Sequence, residues 1–154
     1  MLTFMNISHY CTMEIKQDDI YLFYHHLKEA KIYYPNFDFW YYANVVPSIN
    51  NGTKQIITIS ENNIIKGISI VKLQDEKKLC TLKVMDNYQN KGIGIRLFEK
   101  SFDILKTTKP LLSVSEEKLP VFEKIFKYYN FKLTSIKDGY YRQNKKEYFY
   151  NEMV

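Results

Sequence analysis

The chain has 154 residues, a length that fits one domain with a core large enough to need neither metal nor disulfide. Apolar residues make up 45% and charged residues 25%, a globular balance. The net charge of +5 suits a phosphate-bearing partner, but basic runs stop at pairs such as Lys77-Lys78 and Lys145-Lys146, which argues against a nucleic-acid-binding tail. Two cysteines, Cys11 and Cys80, make no disulfide framework, and His9 with the adjacent His25-His26 offers no metal-ligand spacing. The absence of an apolar run near ~18 residues and of a basic-then-apolar leader sets the expectation of a cytoplasmic protein without a membrane span.

In chain order, a strand is predicted over 4–15. Asp18-Asp19 then offers an N-cap to a helix over 20–31, in which Ile20, Phe23, Tyr24, Leu27 and Ala30 recur at helical spacing. Pro35 ends it, and a second helix is predicted over 37–46, stopping before Pro47. The aromatic residues Tyr33, Tyr34, Trp40, Tyr41 and Tyr42 either line a cleft or pack these helices on a sheet. After the turn Asn50-Asn51-Gly52, strands are predicted over 54–60 and 64–73, joined by Glu61-Asn62-Asn63. A turn at Asp75-Glu76-Lys77-Lys78 leads into a strand over 79–85, where Cys80 reads as a small core residue. A helix over 93–105, a strand over 110–114, a helix over 119–129 and strands over 132–140 and 147–150 complete a single domain over 1–154. This order describes an α/β (α+β) domain with a mixed sheet and helices on both faces.

The run from Leu82 to Leu97, LKVMDNYQNKGIGIRL, carries the chemistry. It reads as a buried strand, a polar loop and a Gly-x-Gly turn opening an amphipathic helix. The first amides of a helix have no intrahelical acceptor and sit at the positive end of its dipole, so this junction suits a pyrophosphate. Gly92 and Gly94 let backbone approach a phosphate without an intervening Cβ, and Lys91 adds charge. A tight turn with no ligand is the plainer alternative. A dinucleotide loop is disfavoured because its third glycine would fall at Leu97, and no Gly-Lys-Ser/Thr completes a Walker loop.

The wording Gln89-x-x-Gly92-x-Gly94 after a strand containing Leu82-x-Val84 resembles the acyl-CoA-binding motif of the GCN5-related N-acetyltransferases, the GNAT family. The segment 120–131 looks like that family's Asn-Pro-x-Ala-x-x-Leu-Tyr-x-x-x-Gly-Phe helix, with Leu119 for the asparagine, Phe126 for the tyrosine and Asn130 for the glycine. The resemblance implies the acyl-CoA N-acyltransferase fold, with a mostly antiparallel central sheet of 6–7 strands and about four helices. It implies acetyl-CoA as cosubstrate, no metal, and transfer of the acetyl group to an amine by direct attack. Leu82, Lys83 and Val84 would present backbone to the pantetheine arm. Gln89, Asn90, Lys91, Gly92, Ile93, Gly94, Ile95 and Arg96 would hold the diphosphate.

The catalytic half is less explicit, because Phe126 cannot protonate a leaving thiolate. Tyr129, three residues along the same helix, is a candidate acid, although that position also suits core packing. Glu116 is a candidate base after the strand over 110–114, although Ser115-Glu116-Glu117 also suits a helix cap. Water-mediated deprotonation needs neither. The acceptor region falls in 33–51 and 137–146, and the acceptor is a small molecule, a protein or an aminoacyl-tRNA. Two other readings stand beside the enzyme: a non-catalytic acyl-CoA-binding or partner-binding module, and an RNA-directed protein. The aromatic segment 140–150 is a candidate for pairing with a second copy, which would make a homodimer.

Overall fold

The computed structural model describes residues 16–153; the strand expected over 4–15, with His9 and Cys11, lies outside them. The first helix, α1 (Gln17–Leu27), begins from Lys16, so Asp18 and Asp19 occupy its first turn instead of capping it. There they oppose the positive end of the dipole, which suits carboxylates as well as a cap does. A 3₁₀ turn, Lys28–Ile32, follows.

The helix expected to stop before Pro47 runs through it. It comprises α2 (Phe37–Trp40), a π turn (Tyr41–Val45) and α3 (Val46–Asn50), with Pro47 in the first turn of α3. The Val46 N–H donates to the Tyr41 carbonyl, five residues back. That wider turn relieves the clash a proline makes with an α-helical carbonyl four residues before it, so the chain continues without a break.

Two antiparallel sheets follow. The first has the order β1 (Lys54–Glu61), β2 (Ile64–Lys72), β3 (Lys78–Val84). The β1–β2 hairpin turns on Asn62 and Asn63 with φ of 54° and 65°, the doubly left-handed loop that matches strand twist. After α4 (Ile93–Leu105) comes β4 (Leu112–Ser115), then α5 (Leu119–Tyr128), β5 (Leu133–Asp138) and β6 (Lys146–Tyr150). The second sheet has the order β4-β6-β5. β6 is the central strand of this half, paired on both sides, and β4 and β5 are its edges.

The two sheets meet at one parallel bridge among the described residues, Lys78 to Leu111. Leu79 N–H donates to the Leu111 carbonyl and Leu111 N–H to the Lys77 carbonyl, each at 2.9 Å. Beyond that point β3 and β4 part. The cause lies in β3 itself: Thr81 pairs with Ile70 and Leu79 with Val71, so Cys80 is an extra residue that bulges the strand and bends it. The expected sheet of 6–7 strands is thus six described strands in two halves, open between β3 and β4.

Two cores cover opposite faces, as strand alternation dictates. Ile57, Ile59, Val71, Leu79, Leu112, Val114 and Tyr150 pack under α4 and α5. Ile56, Ile65, Ile68 and Ile70 pack under α1, α2 and α3, with Phe23, Leu27, Tyr41 and Val45. The Tyr41 hydroxyl donates to the Ile20 carbonyl at 2.8 Å and locks these helices together.

Gly67 on β2 sets the height of α4. A Cβ there would lie 2.7 Å from Leu97 Cδ1 and 2.8 Å from Ile93 Cγ2. The first two turns of α4 therefore rest directly on the sheet beside the open end of β3. A Gly67→Ala substitution must lift the helix or force both side chains off their rotamers, and is expected to cost about 1–3 kcal/mol in urea denaturation.

Candidate functional site

At the start of α4, Gly92 is the N-cap, with φ of 81°, and no side chain caps the helix. A Cβ on Gly92 would meet nothing within 4 Å, and one on Gly94 would make only an ordinary contact, 3.7 Å from Val84 Cγ2. The protein's own packing thus leaves open the face of Gly92. Asn90, with φ of 60°, turns the loop into this position. The first bond into the helix is Arg96 N–H to the Gly92 carbonyl at 3.1 Å, so the amides of Ile93, Gly94 and Ile95 precede the hydrogen-bond ladder. Gln89, Asn90, Lys91, Gly92 and Arg96 are exposed, while the Ile93 side chain is buried and anchors the turn. Lys91 lies 5.9 Å from the Tyr88 ring and brings its ammonium to this loop, while Lys66, 4.9 Å from the same ring, is ion-paired with Glu61 at 3.1 Å. The result is a concentration of open donors and positive charge that fits a diphosphate.

The residues expected in β3 adjoin this turn, with refinements. Leu82 and Val84 pack their side chains toward α4. The Lys83 ammonium pairs with Glu29 at 3.1 Å on the opposite face, so this side chain is turned away from the Gly92 turn. The Gln89 amide donates back to the Val84 carbonyl at 3.4 Å and ties loop to strand.

Tyr129 and Glu116 have structural partners. The Tyr129 ring packs against Phe98, Phe102 and Phe131, and its hydroxyl donates to Glu99 at 3.1 Å. Burial and that carboxylate push its pKa up to about 12. Glu116 accepts the Lys146 N–H at 2.7 Å and returns its own N–H to the Lys146 carbonyl, closing the end of the β4–β6 pair. Phe126, where the resemblance expects tyrosine, is buried with its ring 4.6 Å from that of Tyr150.

A polar cluster not foreseen from sequence sits on the other face of the second sheet. Glu147 on β6 is 3% exposed. Its Oε2 accepts bonds from the Ser113 hydroxyl at 2.7 Å and the Tyr34 hydroxyl at 2.9 Å. Tyr34 meets Tyr141 edge to face at 4.9 Å. Burial raises the pKa of Glu147, against the hydroxyl bonds and the more distant charges of Arg142 and Lys78. It likewise raises Tyr34, and takes Tyr141 to about 12. The sequence signal was the alternation of β6: Glu147 and Phe149 share a face, so a buried Phe149 implied an inward carboxylate.

No family model and no curated protein sequence matches the chain. Solved structures do. A protein assigned to the GNAT acetyltransferases from Desulfovibrio desulfuricans superposes with a TM-score of 0.70 at 14% identity, covering 88% of this chain and 92% of that one. A GNAT-family acetyltransferase from Bacillus cereus gives 0.64 at 16% identity, covering 92% and 96%. One from Elizabethkingia anophelis with acetyl-CoA bound gives 0.55 at 14% identity, covering 66% and 77%.

The loop between β5 and β6, which carries Tyr141, is pinned by Arg142. Its guanidinium makes two bonds to Glu117, at 2.6 and 2.8 Å, and lies 5.5 Å from the Tyr33 ring. The Arg142 hydrogen bonds hold the Glu117 pKa down at about 2, from 4.5. A depressed carboxylate stabilises the fold above pH 4.5, and that contribution fades as pH falls toward about 2. Glu117→Gln is therefore expected to lower stability at pH 7 by less than about 1 kcal/mol, because Glu117 lies at the surface where solvent screens the pair, and to flatten the acid limb of a urea-denaturation series over that range.

Proposed function

We propose that this chain, which has the GNAT fold, is an acyl-CoA-dependent N-acyltransferase, most simply an acetyltransferase. The observation that carries the reading is the uncapped start of α4 lying beside a strand that parts from its neighbour. The amides of Ile93, Gly94 and Ile95, with Lys91 and Arg96, would bind the diphosphate. Backbone groups of Leu82, Lys83 and Val84 not used by β2 would pair with the amides of the pantetheine arm, much as a peptide adds to a sheet edge. That path brings a thioester into the opening between β3 and β4, where an amine arriving from the α1–α2 side meets it.

The chemistry asks little of the protein. A neutral amine attacks the thioester carbonyl, an oxyanion forms, and the thiolate leaves. Holding the two reactants together contributes an effective molarity of about 10⁵–10⁸ M, against about 10²–10⁴-fold from a positioned acid. A thiol of pKa ~8.5 leaves acceptably as the anion. Burial of Phe126 in the core therefore slows such an enzyme without disabling it. The same residue, with Tyr129 held by Glu99, also favours a second reading, a module that binds acyl-CoA and transfers nothing.

Calorimetric titration with CoA tests the first step. Gly92→Glu sets a carboxylate in the phosphate position and is expected to abolish binding while far-UV circular dichroism stays native; unchanged affinity discards the assignment. Thiol release from acetyl-CoA over small amines, peptides and aminoacyl-tRNA separates the two readings. Turnover of any acceptor rejects the binding-only module.

A further inference from the structure

A carboxylate closed off from water normally faces a cation, because the loss of hydration costs more than hydroxyl bonds return. Glu147 forms no ion pair among the described residues. The nearest candidate, Arg142, is committed to Glu117, and Lys78 contributes only at a distance. What surrounds the carboxylate instead is a set of hydroxyls and ring edges from three separate parts of the chain. Tyr34 comes from the segment after α1, Ser113 from β4, and Tyr141 from the β5–β6 loop. Both hydroxyl bonds fall on Oε2, and neither uses Oε1.

Position adds a second, independent pointer. The pairings Ser113 to Phe149 and Ser115 to Glu147 place Ser113 and Glu147 on the same face of the sheet, opposite α4 and α5. Ser113 belongs to β4, one of the two strands that border the opening, and Cys80, the bulged residue of β3, packs toward this same face. The diphosphate turn and the carboxylate thus lie on opposite sides of the sheet, with the opening between them.

We propose that Glu147, walled by Tyr34, Tyr141 and Ser113, is the acceptor subsite and receives the ammonium group of a primary amine carried on an aliphatic or aromatic stem. This rests on the acyltransferase reading for its chemistry. The carboxylate takes one proton from the ammonium, leaving a neutral amine. The amine nitrogen forms its bond to the thioester carbon, and the carbon–sulfur bond breaks as the tetrahedral species collapses. The second nitrogen proton goes to the departing thiolate, and Glu147 returns its proton to solvent. Tyr34 and Ser113 hold the carboxylate toward the opening; the Tyr rings offer faces and edges to the stem and exclude water.

The test titrates n-hexylamine, tyramine and spermidine into the protein, with and without CoA, following chemical shifts of backbone amides. The wild-type chain is expected to bind at least one of them, with shifts at Ser113 and Glu147. Glu147→Gln keeps an acceptor oxygen for both hydroxyls but no charge, and is expected to weaken amine binding by about tenfold or more. Its CoA affinity should be unchanged and its thermal midpoint equal or higher. Glu147→Asp, which keeps the charge, should retain more binding than Glu147→Gln. Equal amine affinity in Glu147→Gln, or no binding of any of the three amines, overturns the proposal. So does a Glu147→Gln chain that no longer folds, because the carboxylate is then a structural element. Failure of CoA itself to bind removes the acyltransferase reading alone, since the titration without CoA still reports on amine binding at Glu147.

Discussion

The extra residue at Cys80 governs the shape of this molecule. With it, β3 bends away after its single bridge to Leu111, and a continuous sheet becomes two halves around an opening. Without it, β3 and β4 would continue as neighbours, and the edge groups of Leu82 to Val84 would be consumed by a ladder. Gly67 supplies the matching constraint from the next strand, since its missing Cβ is what allows Ile93 and Leu97 to come down onto the sheet. A bulge opens the strands and a glycine lowers the helix. Together they place a row of unpaired amides at the mouth of the opening.

Charge follows the same division. On the α4 side the open amides, Lys91 and Arg96 make a positive environment among exposed residues, where a screened multivalent anion gains most from several weak donors. On the other side a single carboxylate is enclosed by phenols. Enclosure strengthens any interaction it makes with a cation and raises the cost of having none. The two sides are suited to ligands of opposite sign.

Much of this architecture was legible in the residues. The turns at Asn50-Asn51-Gly52 and Asn62-Asn63 delimited β1 and β2 and announced their hairpin, and the apolar spacing of 93–105 gave α4 to the residue. Asn130 was legible too: with φ of 56° it fills the glycine position, Phe131 N–H closing back to the Phe126 carbonyl at 2.8 Å. Pro47 misled, because a π turn depends on packing of Tyr41 and Val45 that no local pattern reveals. The Gly92 turn with its open amides is contiguous in sequence and so could be read from sequence. The Glu147 cluster joins residues up to 113 positions apart, and nothing local marks such a grouping. Gly67 escaped for the same reason, its importance residing in a neighbour thirty residues away.

The burial of Phe126 explains why the unforeseen cluster lies where it does. Phe126 stacks with Phe122 and meets Tyr150 and Phe131, so the inner face of α5 is given over to closing the core beneath β4 and β6. Tyr129, at the C-cap of that helix, completes a ring cluster with Phe98 and Phe102 and spends its hydroxyl on Glu99. Neither Phe126 nor Tyr129 is therefore free to serve the opening. The second sheet has only one other face, and along it the alternation of β4 and β6 turns Ser113, Ser115 and Glu147 away from the core. Polar chemistry in this half of the protein has therefore been displaced across the sheet, to the face that carries Glu147.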